Sequence, residues 1–581
     1  MEILDYDLVI LGSGIAGLSS AIHASRVIGE KGKIAVVSKL HIMRSHSIAA
    51  EGGVSGVLYP SKNSDSYDLH GYDTAKGSDY LADQDAVEIL AKNAPHEIRF
   101  FEHLGVPWSR DGKGDIVFRA FGGMSVKRTA FAADKTGFFM MRALYDTVLG
   151  TKSIDKFHEH FVTSLLIRNR RLLGLFAVDL ASGDTKLFRT KACIIATGGY
   201  SRIYSFTTTS HSTTGDGTAL AYRAGLPLKD MEFVQFHPTA LVPNGILITE
   251  AARGEGGYLR NSKGYRFMAR YAKSVMELAP RDIVSRAIVT EIMKGRGIAQ
   301  EGSGIKHVYL DLRHLGAEKL DERLPMIREI TIKSLGLDPA EEQIPVRPAA
   351  HFTMGGIHTD IGGAVMSDDK SPVRGLWAAG EAGCVSVHGS NRLGSNSLSE
   401  CAVWGRITGS AAAKYAMQDK TAKADSEASK LLGDGAEEEL NRLMDSDGQN
   451  DPYVIKEELQ RTMEEHMYVF KNHRGMQGAR RTVAKLKEQF NDIHVTDKGK
   501  VFNTNLRDVL EIRNLLDLSE VSVTCALNRK ESRGAHTVIE HPRRDDRHWL
   551  KHTIAVRSKD GIEISYLPVV ITKWRPKPRK Y

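Results

Sequence analysis

Cysteine is scarce in this chain, and the four present, Cys193, Cys384, Cys401 and Cys525, stand far apart with no CxxC pair. That spacing supports neither a zinc site nor a protein-held iron–sulfur cluster, and a disulfide scaffold is not expected at this size. A reducing compartment fits. Long hydrophobic runs are missing too, since none approaches the roughly 20 residues a membrane span needs. The N-terminus reads as free of a signal or transit peptide, because a buried strand begins near Tyr6. Charge of one sign is also lacking: 79 basic residues are mixed with 71 acidic ones, for a net +8. Nucleic-acid binding is therefore not expected, and the basic Lys573–Tyr581 segment reads as a solvated or partner-facing tail.

Glycine is what the chain has in abundance. Its 54 glycines cluster at Gly12, Gly14, Gly17; Gly52, Gly53; Gly198, Gly199; and Gly254, Gly256, Gly257. Clusters that follow apolar strands mark backbone closely approaching a phosphate or a flat cofactor. With 41% apolar and 26% charged residues the composition is that of a soluble globular protein. At 581 residues it should divide into several domains.

Tyr6–Leu11 reads as a buried parallel strand, followed by Gly12-Ser-Gly-Ile-Ala-Gly17 and a helix to about Val27. Lys33–Val37 completes the strand–helix–strand unit, and Ala192–Ala196 and Gly375–Ala379 are strands of the same type. The glycine triplet lets a pyrophosphate rest on backbone N–H groups at a helix N-terminus, which nominates Gly12, Ser13, Gly14, Ala16 and Gly17. The acid that would grip an NAD ribose about 20 residues later is replaced by Ser38-Lys39. FAD is the better reading, with Ser38 and Lys39 beside the ribose. Thr197-Gly198 and Glu381 supply further approaches to the cofactor, and Asp216 opens a helix either as an N-cap or as a cofactor contact. Ser397-Leu398-Ser-Glu400 reads as a capping box whose helix aims its positive end at the flavin.

From His237 to Pro345 the pattern mixes helix and strand, as an inserted domain would. After Arg406 it turns helical: Lys414–Asp451 is charged and Ala-rich, and amphipathic stretches cover Lys456–Asn472, Ala479–Phe490 and Arg507–Asn528, a bundle. Ile562–Trp574 reads as a short strand pair.

At Arg44-Ser-His-Ser-Ile-Ala-Ala-Glu-Gly-Gly53 the chain comes to resemble the succinate dehydrogenase and fumarate reductase flavoproteins. The resemblance continues through Gln235-Phe-His-Pro-Thr239, Thr249-Glu-Ala-Ala-Arg-Gly-Glu-Gly-Gly257, Ala279-Pro-Arg-Asp282, His351-Phe-Thr-Met-Gly-Gly356, His388-Gly-Ser-Asn-Arg-Leu-Gly394 and Glu531-Ser-Arg-Gly-Ala-His536. It implies an α/β fold: a Rossmann-like FAD-binding domain in two parts (1–236 and 346–410), an inserted α+β capping domain (237–345), a helical domain (411–535) and a small C-terminal domain (536–581). It also implies covalent FAD at His46, flanked by Ser45, Ser47, Gly52 and Gly53. On the residues alone, His46 would more often be an ordinary loop histidine. Two positions depart from the family pattern. Ser47 replaces a threonine, and Glu51 replaces a glutamine, bringing a possible negative charge that would lower the flavin potential.

For the reaction, the resemblance places succinate or fumarate on His237, Thr249, His351 and Arg392. A small dianion needs cations and donors at both ends, and Arg392 can hold a carboxylate through two parallel bonds. Hydride passes between substrate and flavin N5, with Arg281 as acid–base group and Glu250 and Arg253 as its relay; the bland reading of the relay is a buried structural ion pair. Electrons then leave through an iron–sulfur subunit bound to membrane-anchor, quinone-binding subunits. That puts the chain peripherally at the cytoplasmic face of the cell membrane, or on the matrix side in mitochondria. Succinate oxidation is the expected direction, with fumarate reduction as the alternative. L-aspartate oxidase shares the fold but lacks the flavin-bonding histidine, so His46 weighs against it. A non-enzymatic flavoprotein is disfavoured by Arg281, Arg392 and His351, and an NAD-linked dehydrogenase by Ser38-Lys39.

Overall fold

The computed structural model describes residues 1–368, 370–419 and 426–580. Residues 420–425 of the Ala-rich stretch and Tyr581 of the basic tail lie outside the described residues. The fold is α/β, and a parallel sheet forms its centre. Pro372–Ala378 pairs with Thr185–Ile195, which pairs in turn with Glu2–Leu11, then Ile34–Val37, then Ile154–Phe157. Leu8, Val9, Ile10 and the whole of Ile34–Val37 are inaccessible to solvent, as strands covered on both faces must be. The first strand is longer than its apolar run: Glu2 and Asp5 extend it by pairing with Lys186 and Arg189 at 2.8 and 2.7 Å.

Helices Ile15–Ile28 and Asn396–Gln418 pack together in one apolar cluster that includes Leu18, Ile22, Val403 and Trp404. Both begin beyond the carboxyl ends of parallel strands, where open α/β sheets bind ligands. The segment between Val234–Leu241 and Ile344–Thr353 enters and leaves through those two strands, which pair antiparallel. They share a sheet with Lys306–Asp311 and Tyr258–Arg260. This segment has its own core of Leu241, Ile248, Leu259, Phe267, Val284 and Leu310.

The bundle helices run Pro452–His466, His473–Phe490 and Thr504–Asn528. Each starts earlier than its apolar periodicity indicates, because Asp451, Asn472 and Asn503 cap them by accepting bonds from Tyr453, Gly475 and Leu506 N–H at 2.7 Å.

One expectation at the C-terminal end is corrected. The strand pair is Lys551–Ser558 with Gly561–Pro568, so Ile562–Trp574 contains only its second strand. The first is hidden in sequence because it carries polar His552 and Thr553 inward. The basic tail is largely exposed, with Lys573, Arg575, Lys577 and Lys580 open to solvent, but it is fastened at two places. Gln84 accepts the N–H groups of Thr572, Lys573 and Trp574 at 3.0, 2.8 and 2.9 Å, and Arg579 pairs with Asp282 at 2.6 Å. Among the described residues, no helix is long and apolar enough to cross a membrane.

Candidate active site

A cleft of about 1610 Å³, its mouth included, opens at the carboxyl ends of the parallel strands and runs to the inserted segment. Every residue nominated from the sequence lines it except Gly17 and Arg253. Gly17 instead packs behind the loop, where a Cβ would stand 2.1 Å from Gly12 O, and Arg253 lies one layer behind Glu250.

The cleft is built for a dinucleotide. Gly12 has φ +113°, and a side chain there would strike Ala196 O at 2.2 Å; Gly53, at φ +127°, would strike Ala130 O at 2.3 Å. Helices Ile15–Ile28 and Asn396–Gln418 both start without a side-chain bond from their own N-cap residue, so their positive ends face the cleft. Ser13 and Ser38 hydroxyls meet at 3.0 Å beside the loop. Ser47 accepts a 3.2 Å bond from Ile15 N–H, and Thr197 accepts one of 3.1 Å from Gly217 N–H.

Three readings change here. Asp216 is the first helical residue, not the cap; Gly215 takes the cap position in the left-handed region. The Asp216 carboxylate is engaged by Lys39 at 2.8 Å, and Lys39 also meets Glu511 at 2.7 Å, so both side chains are committed to a buried ion cluster at the cleft wall. The capping box does not form, because Ser395 turns at φ 64° and the helix begins two residues early. Ser397 instead receives Arg392 Nη1 at 3.3 Å, and Glu400 meets His388 Nε2 at 2.9 Å. Glu51 sits where a negative charge is disfavoured. Its carboxyl is buried, with Oε2 unpartnered. Burial first, and Asp134 second, push its pKa well above the usual carboxylate range, against the opposing pull of Arg119.

At the inner end, Glu250 is buried and accepts from Gly122 N–H and Arg281 Nε, each at 2.6 Å, with Arg253 Nη2 at 3.7 Å. Burial alone would raise its pKa; Arg281 and Arg253 overcome this and keep it ionised. Arg281 gives Nη1 to Gln235 at 3.0 Å, which leaves its Nη2 edge for the cleft. Arg392 is buried with Nε unpartnered, and burial, then Arg281, pulls its pKa well below the guanidinium norm despite the carboxylates of Glu381, Glu250 and Glu400 nearby. His237 and His351 stand with ring centres 4.9 Å apart. Burial, then Arg281, lowers both pKa values well below normal, so each ring is neutral. Thr208 holds His351 Nδ1 at 2.6 Å and Thr239 N–H donates to His237 Nδ1 at 3.3 Å, leaving both Nε2 atoms for a ligand. Thr249 caps Glu250–Gly254 by accepting from Ala251 N–H at 3.4 Å, so its hydroxyl proton can still be donated.

Known proteins resemble this chain over nearly its whole length. Residues 7–398 match the family model described as an FAD binding domain, and residues 456–581 match the fumarate reductase flavoprotein C-terminal model. A fumarate reductase flavoprotein subunit of Mycobacterium tuberculosis is 43% identical, covering 99% of each chain. The chain belongs to the fumarate reductase and succinate dehydrogenase flavoprotein family. A succinate dehydrogenase flavoprotein subunit of Rickettsia conorii is also 43% identical, over 98% of this chain and 96% of its own. A solved structure of an E. coli quinol fumarate reductase variant superposes with a TM-score of 0.94 at 41% identity, over 100% of this chain and 99% of that one.

As a member of this oxidoreductase family the chain binds FAD. The glycine cradle, two open helix N-termini and the unpartnered polar atoms of Glu51 and Arg392 fit that cofactor. Gln235 and Thr208, which motif reading did not single out, do not line the cleft but hold Arg281 and His351, which do. Gln235 was within reach, lying two residues before His237 on the same strand and hence on the same face. Thr208, from a loop, carried no such signal.

Proposed function

We propose that this flavoprotein interconverts succinate and fumarate, working as a succinate dehydrogenase, with FAD bonded covalently to His46. The observation that carries the reading is the charge of the inner cleft. The guanidiniums of Arg281, Arg253 and Arg392 gather around Glu250, a carboxylate already engaged by two of them. Positive charge in excess, flanked by neutral imidazoles, suits a small dianion. Arg392 grips one carboxylate, while His237, His351 and Thr249 donate to the substrate and fix its orientation.

FAD supplies hydride acceptance and donation when bound. The protein's part is to hold the C4 diacid in one pose and to move a proton at the neighbouring carbon. Arg281 Nη2 is the group placed for that, and Glu250, 2.6 Å from Arg281 Nε, is placed to restore its proton, with Arg253 behind. Holding the diacid in one geometry contributes several kcal/mol to the rate. Residues 237–345 act as the cap that excludes water from this end.

Support for covalent attachment lies in His46 itself. Its Nδ1 accepts Ser210 N–H at 3.2 Å, leaving Nε2 toward the cleft it lines, and burial, then Arg202, lowers its pKa to about 4. It is thus an unprotonated nucleophile at neutral pH. Electrons pass on to an iron–sulfur partner, consistent with four separate free thiols here. That partner's quinone-binding anchor subunits would hold the chain peripherally at the cytoplasmic face of the membrane. The test is succinate-dependent dye reduction beside fumarate-dependent dye oxidation on purified protein. Activity with both diacids is expected, and activity with neither would end this reading.

A further inference from the structure

The basic tail is mostly exposed, yet it is fastened to the rest of the protein and reaches the helix that carries Arg281. After the last strand, residues 569–580 cross the FAD-binding part. Three backbone N–H groups are held by Gln84 Oε1, Gln84 Nε2 donates to Trp574 O at 2.6 Å, and the Trp574 ring fills the space left by Gly71, where a Cβ would stand 2.4 Å from it. This path delivers Arg579 into the crevice between the FAD-binding part and the inserted segment, with its side chain 8% exposed. There its Nε meets Asp79 Oδ1 at 3.1 Å, while Nη2 and Nη1 meet the Asp282 carboxylate at 2.6 and 3.3 Å.

The two carboxylates belong to different bodies. Asp79 follows helix Tyr67–Gly77 in the FAD-binding part. Asp282 is the second residue of helix Arg281–Glu291 in the inserted segment, one peptide bond from Arg281. The guanidinium therefore ties the start of the helix bearing the proton-transfer group to the part that holds the flavin. Asp282 responds to the contact: burial would raise its pKa, but Arg579 and Arg286 hold it down to about 2. Other ties near the site include Gly122 N–H to Glu250 at 2.6 Å, Arg281 Nη1 to Gln235 at 3.0 Å and Gly123 N–H to Leu278 O at 3.1 Å, and the same helix sends Arg286 Nη1 to Gly534 O at 2.6 Å; among these only Arg579 contacts Asp79 and Asp282 together.

We propose that Arg579 is a positioning residue for catalysis: by joining Asp79 to Asp282 it holds Arg281 in place over the flavin cleft. This rests on the diacid reading above for its kinetic test, though not for its structural one. The contact is removable without leaving either carboxylate bare. Asp282 keeps Arg286 at 2.8 Å, and Asp79 keeps Arg544 at 2.7 Å and Gly534 N–H at 3.1 Å. Arg579→Ala should therefore fold and bind flavin normally.

The experiment compares wild type, Arg579→Ala, Arg579→Lys, Asp282→Asn and the Arg579→Ala/Asp282→Asn double variant. Flavin content, kcat per bound flavin, KM, the malonate Kd from the flavin spectrum, and amide hydrogen exchange across 281–291 are measured. For Arg579→Ala we expect unchanged flavin content, kcat per flavin lower by about ten- to a hundredfold, weaker malonate binding, and faster exchange at the helix start. Arg579→Lys should recover part of the loss, and the double variant should be no slower than the worse single one. A merely structural role would lower flavin content and melting temperature with kcat per flavin intact, and that result overturns the proposal. So would losses in the two single variants that multiply. If wild type neither turns over a C4 diacid nor binds malonate, the functional reading fails instead; the exchange measurement then still decides whether Arg579 holds the helix, and unchanged exchange overturns that.

Discussion

Gln235 accepts a 3.0 Å hydrogen bond from Arg281 Nη1. Its nitrogen donates 2.7 Å to the backbone carbonyl of Arg392 and 2.9 Å to Asn391 Oδ1. One buried carboxamide thus links the Arg281 guanidinium to the backbone that carries Arg392. Gln235→Leu keeps the volume and removes all three bonds. We expect kcat to fall by about a hundredfold, the scale of an ångström's misplacement, with flavin content unchanged. Dye reduction per bound flavin measures it.

Arg281 has a sharper expectation. Arg281→Ala should reduce turnover by at least about a thousandfold, within the range for a general acid–base group. Arg392, His237 and His351 remain, so malonate should still perturb the flavin spectrum. Substantial residual turnover would remove Arg281 from the proton step.

Acid precipitation reads the flavin bond directly. The wild-type pellet should stay yellow and fluorescent after denaturation, and that of His46→Ser should be colourless with the flavin in the supernatant. A colourless wild-type pellet would show a dissociable cofactor.

A pH-dependent stability should trace to His552. It is buried between Asp230 at 2.6 Å and Asp83 at 3.1 Å. Burial would lower its pKa, but the two carboxylates raise it from 6.5 to about 9. A pKa raised on folding stabilises fully below the unfolded value and is lost as pH climbs through the folded one. Wild type should therefore lose roughly 3 kcal/mol from this group between pH 6.5 and 9. His552→Gln should show a flatter melting temperature over that window, and parallel curves for the two proteins would refute the assignment.

Much of the molecule is legible in sequence because local rules and tertiary environment agree. The run Leu8–Leu11, the glycine turn and the helix after it carry one consistent signal, and the structure has that unit. Legibility fails where a partner distant in sequence decides the outcome. Nothing near Asp216 announces Lys39, 177 positions away, as its partner. Glu51 looks like an added charge until burial and Asp134 are seen to disfavour one. Ser397 and Glu400 have the spacing of a cap, yet the left-handed turn at Ser395 moves the helix start and frees Glu400 for His388. Motif matching gathered the cleft residues; it could not say which of them touch one another.

The two strands that bound the inserted segment, Val234–Leu241 and Ile344–Thr353, lie side by side. The chain thus leaves and re-enters at one place, and the central sheet never passes through the hundred residues between. Insertions or deletions within that segment would therefore leave the pairing of the central strands untouched.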